Sequence, residues 1–245
     1  VTGVQTCALP IFIPRLFGGS FSPATTVVLA NATYVSAGWN TRFDAAATKE
    51  LEFWLEKGTP VKVPMLRRKG SERLWEDSSV RTLSLGLEAN SLRYTVILPK
   101  EKVSAERVAE LLTTARMRSA LDEASRTLVD LAIPKGEVRS RPALKEVLVR
   151  EAPLPFSRAA DFSAMTQGPA AISDVLHESV VVLDEIGIEA AAASGVVMEI
   201  KGAALGEEPE PTPVTFLVDR PYAFMITAGD SDALLFLGIV RDPRK

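Results

Sequence analysis

One imidazole, His177, and one thiol, Cys7, are the whole stock of nucleophile-activating and soft-metal chemistry in this 245-residue sequence. A Ser-His-Asp or Cys-His hydrolase would have to be built on His177. A zinc site of Cys and His ligands lacks the ligands, and one Cys cannot form an intramolecular disulfide. The sequence has no G-x-x-x-x-G-K-[ST], G-x-G-x-x-G, G-x-S-x-G or H-E-x-x-H pattern. Its carboxylates are scattered. Glu207, Glu208 and Glu210 do cluster, but among the prolines of Glu207–Pro213 (EEPEPTP), where an extended, exposed segment is expected. His177 lies inside a strand-like apolar run, the setting of a hydrogen-bonded core histidine more than of a catalytic base. No catalytic residue, metal or cofactor is therefore expected.

Composition narrows the classes further. Hydrophobic residues make up 47% and charged residues 24%, an ordinary globular balance that excludes disordered, collagen-like and coiled-coil chains. The net charge of -3 offers no basic field for nucleic acid, so no nucleic-acid partner is expected. No apolar run approaches the ~20 residues of a membrane span, so no membrane partner is expected either.

The unusual stretch is Asp184–Gly195, DEIGIEAAAASG, which follows a strand directly and carries four consecutive alanines, Ala190, Ala191, Ala192 and Ala193. Alanine is the best helix former, so a short helix is one reading. The other is a long exposed loop: Gly187 precedes the alanines, Gly195 follows, and about twenty loop residues come next. A loop of that length inside a compact domain is uncommon and usually functional.

The elements around this stretch are mostly strands. Phe21–Thr26 reads as a Pro/Ser turn and Val27–Val35 as a buried, β-branched strand, ended by Ala37–Asn40. Glu50–Leu55 and Val61–Met65 flank the turn Lys57–Pro60, and Arg81–Leu87 with Ser91–Leu98 has a hairpin signature. Ser104–Ala124 has helical apolar spacing with Ser104 as N-cap, and Pro142–Arg150 reads as a short helix. Thr127–Ile133, Ile172–Leu183, Val214–Val218, Tyr222–Thr227 and Leu234–Val240 complete the strands. No repeat or clear linker appears, so one α+β domain rich in antiparallel strand is expected. Val1–Ile11 (VTGVQTCALPI) lacks periodicity, a basic n-region and a long apolar core. It looks like translated sequencing-adapter read-through, a non-native leader over residues 1–11 that would make Cys7 meaningless. The other reading is an ordinary irregular N-terminus.

DEIGIEAAAASG resembles the hinge of the serpin family, E-x-G-x-E-A-A-x-A followed by Ser or Thr. Further likenesses follow in family order: LANATYVSAGW (Leu29–Trp39), GTPVKVPM (Gly58–Met65), IPKGEV (Ile133–Val138), LKEVL (Leu144–Leu148), DFSAMT (Asp161–Thr166), FLVDRPYAFMI (Phe216–Ile226) and LFLGIVRDP (Leu235–Pro243). The resemblance covers nearly everything from about Phe12. It implies a serpin-like α+β fold with mostly antiparallel sheets and helices, residues 12–245 forming the C-terminal portion of a single serpin domain whose N-terminal helical part is missing.

The resemblance also implies a function: a serine-protease inhibitor, not an enzyme. In such a trap the protease cleaves an exposed reactive-centre loop, and the loop then enters the central sheet as a new strand. About fifteen newly paired residues at ~1 kcal/mol net per hydrogen bond give a drive on the order of 10 kcal/mol. Carried over by position, Glu185, Gly187, Ile188, Glu189, Ala190–Ala193 and Ser194 form the hinge. Gly187 would let the backbone turn, and Ile188, larger than the usual residue, would be buried on insertion. Asn31 and His177 match the shutter pair, joined by a side-chain hydrogen bond; Trp39, Lys135 and Glu185 match the breach, where a Lys-Glu pair restrains the hinge. The cleaved bond counts out to Lys201–Gly202, and a Lys there suits a trypsin-like target. The stretch from Lys201 to Pro221 is longer than usual, which leaves Leu205 or another site open as the scissile residue. The family implies a monomer when full length, and an extracellular or cell-envelope location. The alternatives are a non-inhibitory serpin acting as a binding or structural module, and a hydrolase on His177 that lacks a nucleophile motif.

Overall fold

The computed structural model describes residues 21–188 and 212–244. In chain order the elements are β1 (Val27–Tyr34), β2 (Ala37–Gly38), β3 (Lys49–Trp54), β4 (Pro60–Glu76), β5 (Val80–Leu87), β6 (Leu92–Pro99), α1 (Ala105–Leu111), α2 (Thr114–Asp122), β7 (Ser125–Pro134), β8 (Gly136–Ser140), α3 (Leu144–Glu151), β9 (Ile172–Leu183), β10 (Gly187–Ile188), β11 (Val214–Leu217), β12 (Tyr222–Ala228) and β13 (Leu234–Val240). The chain divides into two compact units, one comprising the residues up to Val35 with Arg139–Val181, the other Ser36–Val138 with Val182 onwards.

In the first unit β1 runs parallel to β9; after a register shift between Val27 and Val28 the ladder is regular from Val28↔Asp174 through Asn31↔His177 to Tyr34↔Val180. Both strands are rich in β-branched residues, which suit a pleated, half-buried surface. Helix α3 belongs to the same unit, and Lys145 at its start donates to the Ser173 carbonyl at 2.7 Å.

The second unit holds an eight-stranded sheet in the order β11-β7-β4-β5-β6-β12-β13, with β3 added alongside β4. All its pairings are antiparallel except β11 with β7. Helices α1 and α2 cover part of it through a core of Val80, Ile97, Val108, Leu111, Ala120, Ala223 and Met225. Tyr94 and Tyr222 are fully buried in the sheet, and Tyr94 stacks on Phe224 at 5.6 Å. On β13, Leu234, Leu235 and Leu237 remain half-exposed.

The fold is α+β and mostly strand, as expected, but three elements differ. The strand expected to be buried over Val27–Val35 leaves Leu29, Ala30 and Asn31 exposed. The helix expected over Ser104–Ala124 is two helices. Thr113 takes an extended conformation and accepts the Arg116 N–H at 3.3 Å, so a second N-cap interrupts the apolar periodicity. Ser104 caps α1 as expected, accepting from Arg107 N–H at 3.4 Å. The strand expected to end at Met65 continues to Glu76 through a charged stretch, because β7 pairs with Met65–Leu74 and β5 with Arg73–Glu76. Ladder pairing there overrides the weak strand preference of Lys, Glu and Gly. The hairpin turn Glu88-Ala89-Asn90 holds φ of 43°, 54° and 69°, three left-handed residues without a glycine.

Candidate functional site

Asp184-Glu185-Ile186-Gly187 turns the end of β9 back into β10. The Asp184 carboxylate accepts the N–H groups of Ile186 at 2.7 Å and Gly187 at 2.9 Å, and the Asp184 N–H donates to the Gly187 carbonyl at 3.0 Å. Asp at the first and Gly at the fourth position are the residues such a turn prefers, a signal present in the sequence but masked by the hinge pattern. Ile188 then pairs with Leu183 on one side and Ala37 on the other, while Gly187 pairs with Gly38. Ile188 is fully buried already, so its burial does not wait for insertion.

Gly187 is required for a different reason from the expected one. Its φ is not in the left-handed region. A Cβ at this position would instead run into the Ala37 carbonyl oxygen and sit 2.7 Å from the Gly38 Cα. Close approach of two backbones, and not turning freedom, selects glycine here.

Glu185, at the tip of the turn, is clamped from two elements. Lys135, just after β7, reaches its two carboxylate oxygens at 2.7 and 3.0 Å, and Thr48, just before β3, donates to one of them at 2.8 Å. Burial alone would push the Glu185 carboxyl up; the bonds from Lys135 and Thr48 outweigh it and hold the carboxyl below its ordinary value. Its backbone carbonyl accepts the Phe43 N–H at 2.9 Å. Trp39 locks the same turn. Its indole N–H donates to the Asp184 carbonyl at 2.8 Å and its backbone N–H to the Ile186 carbonyl at 2.9 Å. The ring is buried edge-on against Phe43 and Tyr94, at 5.6 and 5.8 Å. Trp39, Lys135 and Glu185 thus gather at one turn. Thr48, Phe43 and Asp184 belong with them and carried no sequence signal beyond the turn pattern.

Asn31 and His177 are register partners in the β1–β9 ladder of the first unit. The side-chain bond between the strands is nevertheless made by Thr33 and Ser179, at 2.7 Å, and Ser179 also meets His177 Nε2 at 2.8 Å. No direct Asn31–His177 bond occurs among the described residues. Parallel pairing puts Asn31 and Thr33 on one face of β1 with His177 and Ser179 beside them, so the polar seam is a row of four. In the same unit Glu178 is fully buried, with Arg139 and Arg141 each 2.6 Å from one of its oxygens. Burial works to raise its carboxyl, and the two guanidinium groups prevail and lower it.

The remaining residues expected in the hinge, Glu189, Ala190, Ala191, Ala192, Ala193 and Ser194, lie outside the described residues, as do Lys201, Gly202 and residues 1–11. Among the described residues no group of three His, Cys, Asp or Glu side chains could hold a metal ion, and no helix is long and apolar enough to cross a membrane.

Residues 12–243 match the family model described as Serpin (serine protease inhibitor). The chain belongs to the serpin family. Serpin B4 of Homo sapiens is 32% identical over 239 residues, covering 94% of this chain and 60% of that protein. Iripin-2 of Ixodes ricinus is 31% identical, covering 93% and 57%. An uncharacterised serpin-like protein of Thermococcus kodakarensis is 31% identical, covering 91% and 51%. This serpin chain therefore spans between half and three-fifths of the length of those relatives. Among solved structures, the thermophilic serpin tengpin in its native state superposes with a TM-score of 0.77 at 25% identity, over 91% of this chain and 57% of that one. Thyroxine-binding globulin in complex with thyroxine gives 0.77 at 25% identity, over 92% and 59%.

Proposed function

We propose that this serpin inhibits a serine protease by loop cleavage followed by strand insertion. One observation carries the reading: Gly187–Ile188 is already a strand paired on both sides, between Leu183 and Ala37–Gly38. The residues that follow are Glu189 and four alanines. Continued along the same strand, they would enter between β1 and β9, and small side chains meet least steric resistance there. Entry requires the Thr33–Ser179 bond to break, and the Lys135–Glu185–Thr48 clamp holds the turn until then. The proposed reactive bond is Lys201–Gly202. A Lys at that position fits proteases with an acidic specificity pocket, as in trypsin.

Mixing the full-length protein with trypsin and running a denaturing gel tests this. The expected result is a higher band of covalent complex, with a released fragment beginning at Gly202. Cleaved chain without a higher band would refute the inhibitor reading. A second reading, a non-inhibitory serpin that binds a small molecule, rests on the likeness to thyroxine-binding globulin. It predicts cleavage without complex, together with ligand-dependent stabilisation.

A further inference from the structure

A cleft of about 240 Å³ in the second unit is lined by Arg81, Leu98, Pro99, Lys100, Thr215, Leu217 and Arg220. Its three cations come from three places: the start of β5, the residue after β6, and the turn before β12. The two arginines are held from behind. Arg81 donates to the Thr215 carbonyl at 3.0 Å, lies over the Phe216 ring at 5.4 Å and approaches Glu76 at 3.1 Å. Arg220 donates to the Lys100 carbonyl at 2.8 Å and to Asp219 at 2.7 Å. Lys100 has one distant anion, the same Glu76 oxygen at 3.6 Å, and Glu76 itself is 49% exposed. Three positive charges thus face two carboxylates, one of them half in water and shared. A guanidinium has five N–H donors and an ammonium three, so all three heads keep donors beyond the bonds named.

We propose that this cleft binds a tetrahedral oxyanion group, a phosphoryl or sulfuryl. Three cationic side chains lining one cleft match an anion with at least three acceptor oxygens better than a two-oxygen carboxylate. The two arginines supply planar forks suited to such oxygens, and Lys100 supplies a point charge. Leu98, Pro99 and Leu217 form an apolar wall that would accept the body carrying the group. The site is independent of the hinge and of the inhibitor reading.

Calorimetric titration of the full-length protein with inorganic phosphate and, separately, inorganic sulfate at low ionic strength tests it. Saturable millimolar binding of either supports the proposal and names the source: phosphate alone assigns a phosphoryl ligand, and binding of sulfate as well assigns either tetrahedral group. Lys100→Gln, at an exposed side chain, should weaken binding about tenfold, the effect of one lost charge-assisted contact. Glu76→Gln should tighten it by releasing Arg81 and Lys100, a gain that loss of folding cannot imitate. Lys57→Gln, at a lysine that does not line the cleft, should change nothing. Absence of saturable binding for both anions, or affinities that ignore both Lys100→Gln and Glu76→Gln, would overturn the proposal.

Discussion

Lys135 Nζ lies 2.7 Å from one carboxylate oxygen of Glu185 and 3.0 Å from the other, fifty residues apart in the chain. Lys135 keeps 38% of its side-chain exposure while Glu185 keeps 15%, so solvent screens the pair from the lysine side only. Lys135→Met is expected to cost about 1 kcal/mol, in the range of a charged hydrogen bond discounted for that screening. Because the folded carboxyl titrates below its ordinary value, the contribution is present above an unfolded value of 4.5 and is lost as pH falls through the lower folded one. Urea unfolding across that range should show the parent's advantage over Lys135→Met shrinking in acid. A difference that stays constant down to about pH 3 would contradict the assignment.

Gly187→Ala should be costly out of proportion to one methyl group. The added carbon meets backbone on β2, which cannot swing aside as a side chain could. A loss of about 2 kcal/mol or more is expected, with the Ile188 amide exchanging faster as β10 leaves its neighbours. Unchanged melting and unchanged exchange at Ile188 would show that the close approach is not real in solution.

Ser179 bonds two partners and Thr33 one. Ser179→Ala should therefore destabilise more than Thr33→Val, each by about 1 kcal/mol per bond lost. A double-mutant cycle on denaturant midpoints should show coupling between the two positions. Additive effects would mean that the β1–β9 side-chain bond contributes nothing.

Arg139→Met should leave Glu178 buried with one of its two cations. Breaking part of a buried ion network is expected to cost about 2–3 kcal/mol, well above the effect of cutting an exposed pair such as Arg107–Glu110. Equal losses for Arg139→Met and Arg107→Met in thermal unfolding would refute the ranking.

Ile188 is buried, and side chains alternate along a strand, so Ala190, Ala192 and Ser194 would share its side if β10 lengthens. Ala190→Glu would then bury an unpaired carboxylate and slow insertion, while cleavage at Lys201 proceeds unchanged. More inhibitor should be consumed per protease trapped, and Ala191→Glu, on the opposite side, should be milder. Identical stoichiometries for Ala190→Glu and the parent would show that this segment does not insert.

Two strands were legible to the residue: β13, which is apolar along its length, and β9, whose β-branched ends flank the polar His177-Glu178-Ser179, begin and end where expected. The ordered motifs also sufficed for the family, and they brought Trp39, Lys135 and Glu185 together. What no local pattern carried was pairing across distance. The charged half of β4 is a strand only because β7 and β5 supply its ladder. Thr48 reaches Glu185 across 137 residues. The cross-strand bond fell to Thr33 and Ser179 instead of Asn31 and His177, since strand register decides which neighbours align but rotamers decide which of them touch. The need for Gly187 likewise arises from the backbone of β2, a segment some 150 residues earlier in the chain. Propensity and spacing are properties of neighbours in the chain, whereas clash, clamp and register belong to segments that meet only after the sheet has formed.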